Sequence, residues 1–354
     1  MPTIDPCPGF WQGRRVLLTG HTGFKGCWLA FWLHHLGAEV TGIARSPSEH
    51  RLFQLLRLDA LVHTGLADLR DADAVASAVA QAQPEVVLHL TAQTSVQRSL
   101  LCPAESFEIN VLGTMHLLNA LRTVPGLNAV LVVTTDKVYA DIPDGKARQE
   151  ADRLGGRDPY SASKAAVELA TAAMAQSFLA PNGVAVGTAR AGNVIGGGDF
   201  APGRLVPDVV NAARSGQKLT LRNPDSQRPW QHVLDCLSGY LAYAAALATD
   251  PTTPCALNFG PGSDTSPTVG EIANAMLEAL GVPDAWSYVP QPEMRETHML
   301  RLDSTLARRT LGWTDRLPGQ RMIAETAAWY RAWAHDADMS AVTLRQITDY
   351  EALS

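Results

Sequence analysis

The stretch "VVTTDKVYA" (Val132 to Ala140) ends an apolar run in side chains that donate, accept or carry a proton. Thr135, Asp136 and Lys137 stand consecutively in it, a hydroxyl beside a carboxyl and an amine. A protonated carboxyl can give a proton, and a lysine kept neutral by burial or nearby positive charge can take one. The plainer alternative is a surface ion pair at a strand end. Further along, "DPYSASKAAVELA" carries Tyr160 and Lys164, four residues apart. On a helix these share one face. An ammonium there can lower the pKa of the phenol, which lets Tyr160 act as a base toward a carbinol hydroxyl.

A third stretch, "LLTGHTGFKG", sets Gly20, Gly23 and Gly26 at GxxGxxG spacing between an apolar run and a helical pattern. Glycine permits the tight turn and close backbone approach, and free N–H groups at the helix start take a pyrophosphate. This reads as a dinucleotide site, with Lys164 also holding the nicotinamide ribose. Thr22, Phe24 and Lys25 complete the loop; Lys25 either approaches the cofactor phosphates or is solvated. After the second strand an acid would hold a ribose 2′-OH and an arginine a 2′-phosphate. Here "GIARSPSE" offers Arg45 and Ser46, so NADP stays open beside NAD. Asp68, with Leu69, follows the third strand and either reaches the adenine amino group or caps a helix. Thr91 and Ala92 end the fourth strand and join the expected cofactor wall. Asn110 in "FEINVLGT" either supports the tyrosine set through a water or is packing polarity within its helix.

These residues need a scaffold that gathers strand ends. Apolar runs at 15–20, 39–44, 61–69, 85–92, 129–135 and 184–193 predict strands covered on both faces. Between them lie helical patterns at 24–36, 71–81, 103–122 and 159–178. Such alternation implies an α/β, Rossmann-type doubly wound parallel sheet over residues 10–193. Beyond it, residues 194–354 read as a smaller, mostly helical substrate domain, with helices near 204–215, 232–248, 268–280, 303–311 and 317–334 and short strands in "KLTL" and "ALNFG".

The chain has 354 residues, 46% hydrophobic and 18% charged, enough for a substantial core. A net charge of −6 argues against a nucleic-acid partner. Cys7, Cys27, Cys102, Cys236 and Cys255 are scattered without metal spacing, the pattern of a reducing compartment. The first residues lack the basic and apolar regions of a secretion signal, and no apolar run is long enough to span a bilayer. The expectation is a cytoplasmic protein with no metal and no membrane partner.

Taken together, the motifs resemble the extended short-chain dehydrogenase/reductase superfamily, in its nucleotide-sugar epimerase/dehydratase group. The blocks "FWQGRRVLLTGHTGFKGCWLAFWL", "TTDKVY", "LGGRDPYSASKAAVEL", "RAGNVIGGGDF", "RNPDSQRPWQHVLDCLSGYL" and "ETHMLRLD" are similar to those of the CDP-glucose 4,6-dehydratases. His21 and Lys25 match that group's "GHTGFKG". The resemblance implies oxidation of a nucleotide sugar at C4, loss of water across C5–C6 and hydride return to C6. It assigns Tyr160 as base at the C4 hydroxyl, Thr135 to the C4 oxygen, Asp136 as acid at C6 and Lys137 as base at C5. It further implies substrate contacts from Gln93, Asn193, Arg204, Arg228 and His298, with Arg295 beside the last, while Trp230 reads as core packing. A homodimer through the helices of 103–122 and 159–178 is implied, a tetramer being the alternative. Two departures stand out: that group has an Asp shortly after strand two where this chain has Ser46, and "TAQTSVQRSL" drifts toward other nucleotide-sugar dehydratases. The competing readings are a 4-epimerase or a dehydratase of another nucleotide hexose, and a dinucleotide-sensing protein without chemistry.

Overall fold

Val16, Leu17 and Leu18 are consecutive and all buried, because each face of their strand is covered by a separate helical layer. The computed structural model describes residues 8–46, 50–141, 145–262, 267–283, 285–289 and 301–353. Its strands are β1 (Arg15–Thr19), β2 (Glu39–Ala44), β3 (His63–Leu66), β4 (Val86–His89), β5 (Ala129–Val133), β6 (Ala185–Ala191), β7 (Asn193–Ile195), β8 (Leu219–Leu221), β9 (Trp230–His232), β10 (Ala256–Phe259) and β11 (Trp286–Tyr288). Seven of them form one sheet in the order β10-β6-β5-β4-β1-β2-β3, and every pairing in it is parallel. The order reverses direction between β1 and β4, which opens a crevice at the carboxyl ends of those strands.

The two layers divide the strand residues by alternation. Val16, Leu18, Leu88 and Leu131 join one core with Trp28, Leu237 and Tyr240. Leu17, Val87, Val130 and Val132 join the other with Val79, Leu117 and Val167. The helix Phe24–His35 buries every residue from Gly26 to Leu33. Burying a leucine- or phenylalanine-sized side chain contributes roughly 1.5–3 kcal/mol, so this helix firmly anchors the glycine loop that precedes it.

The predicted doubly wound sheet is present, with local differences. The strand expected over 184–193 ends at Ala191, and Asn193–Ile195 leaves it to pair with Trp230–His232. "ALNFG" supplies the seventh strand of the main sheet, pairing with β6, so the sheet draws on chain from beyond residue 194. The helix expected at 103–122 is Pro103–Phe107, a wider π turn at Glu108–Leu112, then Gly113–Leu121. Helices Arg51–Leu55, Val96–Leu101 and Met339–Glu351 carried no sequence expectation. No helix among the described residues is long and apolar enough to cross a membrane.

Candidate active site

Gly20 ends β1 with a φ of +75°, in the left-handed region that favours glycine. A Cβ there would lie 2.9 Å from the Thr91 nitrogen, and one on Gly26 would lie 2.0 Å from the Gly20 carbonyl oxygen. The loop is therefore as tight as backbone allows. Gly23 caps the helix Phe24–His35 without a side-chain bond, and no acid sits in its first turn, which leaves the N–H groups open to an anion.

From this loop a cavity of about 950 Å³ runs along the carboxyl ends of the strands and under the segments that follow β6. Its near wall holds Gly20, Thr22, Gly23, Phe24, Lys25 and Gly26, then Arg45, Asp68, Leu69, Thr91 and Ala92. Farther along come Gln93, Thr135, Lys137, Tyr160, Asn193, Arg204 and Arg228. The volume and the glycine cradle fit a dinucleotide together with a second ligand. Asp136 and Lys164 stand behind this wall. Arg295 and His298 lie outside the described residues.

Several side chains differ from the sequence expectation. Lys164 is buried and donates to the Val133 carbonyl at 2.7 Å. Burial, with the Lys25 charge, lowers its pKa to about 8, and Glu168 works against that fall. Burial also raises the Tyr160 phenol, and the groups that oppose the rise are the Lys137 and Arg204 charges and the Thr135 hydroxyl. Lys25 turns inward and donates to the Tyr240 hydroxyl at 3.3 Å. Asp68 accepts a fork from Arg70, at 2.6 Å at its closest, and the cap of helix Ala72–Ala82 is Asp71. Trp230 is buried and donates to the Pro267 carbonyl at 3.0 Å, as core packing predicts, while also touching the cavity.

The opening stretch forms a single turn, Asp136–Val138, capped by Thr135. Asp136 is 1% exposed. Its Oδ1 accepts from the Thr135 hydroxyl at 2.9 Å and lies 3.7 Å from Lys137 Nζ, and its Oδ2 has no partner among the described residues. Asn193 likewise keeps a buried Oδ1 unpartnered. Arg204 donates to Asp199 and to Thr94, each at 2.9 Å, across the cavity mouth.

Sequence reading missed a buried relay behind the near wall of the cavity. The Thr91 N–H donates to Thr19 at 3.3 Å, and Thr19 pairs with His89 Nδ1 at 2.6 Å. His89 Nε2 meets Thr114 at 2.9 Å, and Thr114 donates to the Asn110 carbonyl at 2.6 Å. That direction makes Nε2 the protonated nitrogen, and burial, with the Lys164 charge, lowers the imidazole to about 3, so it is neutral. Asn110, inside the π turn, donates to Ser163 at 2.8 Å and accepts from the Gln93 N–H at 2.7 Å. It therefore ties the tyrosine helix to the Thr91–Gln93 segment directly. "LHL" resembled any buried strand, so only the histidine itself could have signalled the relay.

Residues 16–260 match the NAD dependent epimerase/dehydratase family. The chain is 39% identical to a CDP-glucose 4,6-dehydratase from Salmonella typhimurium, over 96% of this chain and 97% of the relative. It is 32% identical to a dTDP-glucose 4,6-dehydratase from Streptomyces antibioticus, over 90% and 93%. Among solved structures, a dTDP-glucose 4,6-dehydratase from Streptomyces venezuelae with NAD bound superposes with a TM-score of 0.77 at 25% identity, covering 92% of this chain and 99% of that one.

Proposed function

The chain belongs to the NAD dependent epimerase/dehydratase family, and from that premise we propose that it is a nucleotide-sugar 4,6-dehydratase acting on CDP-glucose. The observation that carries the reading is the Asp136–Lys137 pair, 3.7 Å apart, beside Tyr160 and Thr135 at the end of β5. An epimerase needs the tyrosine set alone, and a sensor needs neither. The 39% identity to a CDP-glucose enzyme favours the cytidine nucleotide.

NAD is the proposed cofactor, held by the glycine loop, Leu69 and the Thr91–Ala92 strand end. When bound, it supplies the hydride acceptor for C4 and the hydride donor for C6. Arg45 is 66% exposed at the rim and 4.0 Å from an Asp68 already engaged by Arg70. It can therefore also receive a 2′-phosphate, and Arg45→Ala is expected to weaken NADP and spare NAD.

Tyr160 removes the C4 hydroxyl proton while Thr135 hydrogen-bonds the same oxygen. The ketone then acidifies the C5 proton, which Lys137 takes, and Asp136 protonates the departing C6 hydroxyl. One proton moved within the Asp136–Lys137 pair converts two ions into a neutral acid and a neutral amine, the two forms elimination requires. Gln93, Asn193, Arg204 and Arg228 take the sugar and diphosphate, the arginines as guanidinium forks.

A second copy is proposed on the face where Leu101 (80% exposed), Leu169 (65%), Leu100 (56%) and Leu112 (52%) leave apolar surface on packed helices. The four described cysteines form no disulfide, which suits the cytoplasm. The deciding experiment incubates the purified protein with CDP-, dTDP-, UDP- and GDP-glucose and reads 4-keto absorbance in base. Turnover led by CDP-glucose is expected; turnover of none returns the reading to a sensor.

A further inference from the structure

Glu168 lies on the helix Pro159–Met174, one turn beyond Lys164 and two beyond Tyr160. It pairs with Arg190 of β6, the two side chains being 4% and 5% exposed. Arg190 donates to both carboxylate oxygens at 2.9 Å. Thr134 donates to Oε1 at 2.5 Å and Thr188 to Oε2 at 2.7 Å. The second terminal nitrogen of Arg190 donates to the Tyr139 hydroxyl at 3.0 Å, and Tyr139 donates onward to Asn258 at 2.6 Å.

Thr134 and Tyr139 flank the residues Thr135 to Val138. The turn that carries Asp136 and Lys137 is therefore held at both ends by one ion pair, whose acid rides on the tyrosine helix. A buried pair of this kind adds little stability over an apolar pair of equal volume. What its satisfied, directional bonds provide is a single geometry.

We propose that Glu168–Arg190 is the positioning pair of this site: it registers the Asp136–Val138 turn against the Tyr160 helix, and elimination depends on it more than oxidation does. Tyr160 and Lys164 share one helix, anchored by the Lys164 bond to the Val133 carbonyl, so the oxidising pair is held apart from the turn. The angle at which Asp136 and Lys137 meet the substrate is set by the turn. This rests on the dehydratase reading above.

The test uses the full chain loaded with NAD and given CDP-glucose. Glu168→Gln is expected to slow release of 4-keto-6-deoxy product roughly 100-fold, with KM little changed and reduced cofactor accumulating on the enzyme. Arg190→Lys, which keeps the charge and loses the fork, shows the same split to a smaller degree. The apolar pair Glu168→Met with Arg190→Met, which leaves the Thr134 and Thr188 hydroxyls without this acceptor, keeps its far-ultraviolet helix signal and stays impaired in elimination. Equal loss of both half-reactions, or product formation restored by the apolar pair, overturns the proposal alone. A wild-type protein inert toward every nucleoside-diphosphate glucose overturns it together with the dehydratase reading.

Discussion

The two walls of the cavity are built from different material. On the side proposed for the cofactor the available groups are backbone: a glycine turn, a helix N-terminus and a strand end, backed by the fully buried Trp28 and Trp32. On the side proposed for the substrate they are long side chains on short segments after β6, such as Arg204, 42% exposed and bridging Asp199 and Thr94. A backbone wall has no spare room, whereas an arginine wall exchanges one partner for another. The first wall suits a resident ligand that stays and the second a substrate that comes and goes.

The largest effect should come from the wall without slack. Gly26→Ala sets a methyl 2.0 Å from the Gly20 carbonyl oxygen, so the loop must shift, and the purified protein should carry no cofactor and make no product while keeping its far-ultraviolet helix signal. Retained cofactor would show that this wall yields after all. Between the walls, Lys137→Ala is expected to lower product formation by about 10²–10⁴-fold while C4 oxidation proceeds. Reduced cofactor on the enzyme without 6-deoxy product is the supporting result; an unimpaired variant removes Lys137 from the chemistry.

On the arginine wall the losses should be smaller and fall on binding. Arg204→Ala removes charge-assisted bonds worth about 1.5–3 kcal/mol, a rise in KM of roughly 10- to 100-fold with kcat nearly unchanged. A fall in kcat with unchanged KM would assign this arginine to the reaction itself. The smallest effect is in pH. Lys164, lowered to about 8 by burial and by Lys25, is charged below that pH and neutral above it. Its ammonium is the working form, so kcat/KM of the free enzyme should decline as pH rises through about 8. Lys25→Met relieves one cause of the shift and should move that decline upward.

The cofactor wall was legible in the sequence because its requirements are local. Glycine spacing, a preceding apolar run and a following helical pattern lie within one short stretch, and each expected loop residue lines the cavity. The proposed substrate wall was legible only through resemblance, since Asn193, Arg204 and Arg228 mean nothing at their spacing until β7 and β9 pair. Asp68 and Lys25 line the cavity where expected, and their protein partners Arg70 and Tyr240 were not legible in the sequence because the packing of the folded chain selects them. Glu168 and Arg190 carried no signal, and His89 only its residue type within an apolar run, since a buried polar residue is recognisable only once its partners surround it.

The order of apolar runs and turn residues by itself determined a parallel sheet, the end at which ligands bind and the residue types available for proton transfer. Periodicity and glycine geometry act between near neighbours, so they survive being read along a line. Which cation faces Tyr160, which carboxylate stands behind the wall and which oxygen stays unpartnered were decided only by the folded chain. Those properties depend on electrostatics and desolvation between residues as far apart as Lys25 and Tyr240, and such distances close only when the two layers pack against the sheet.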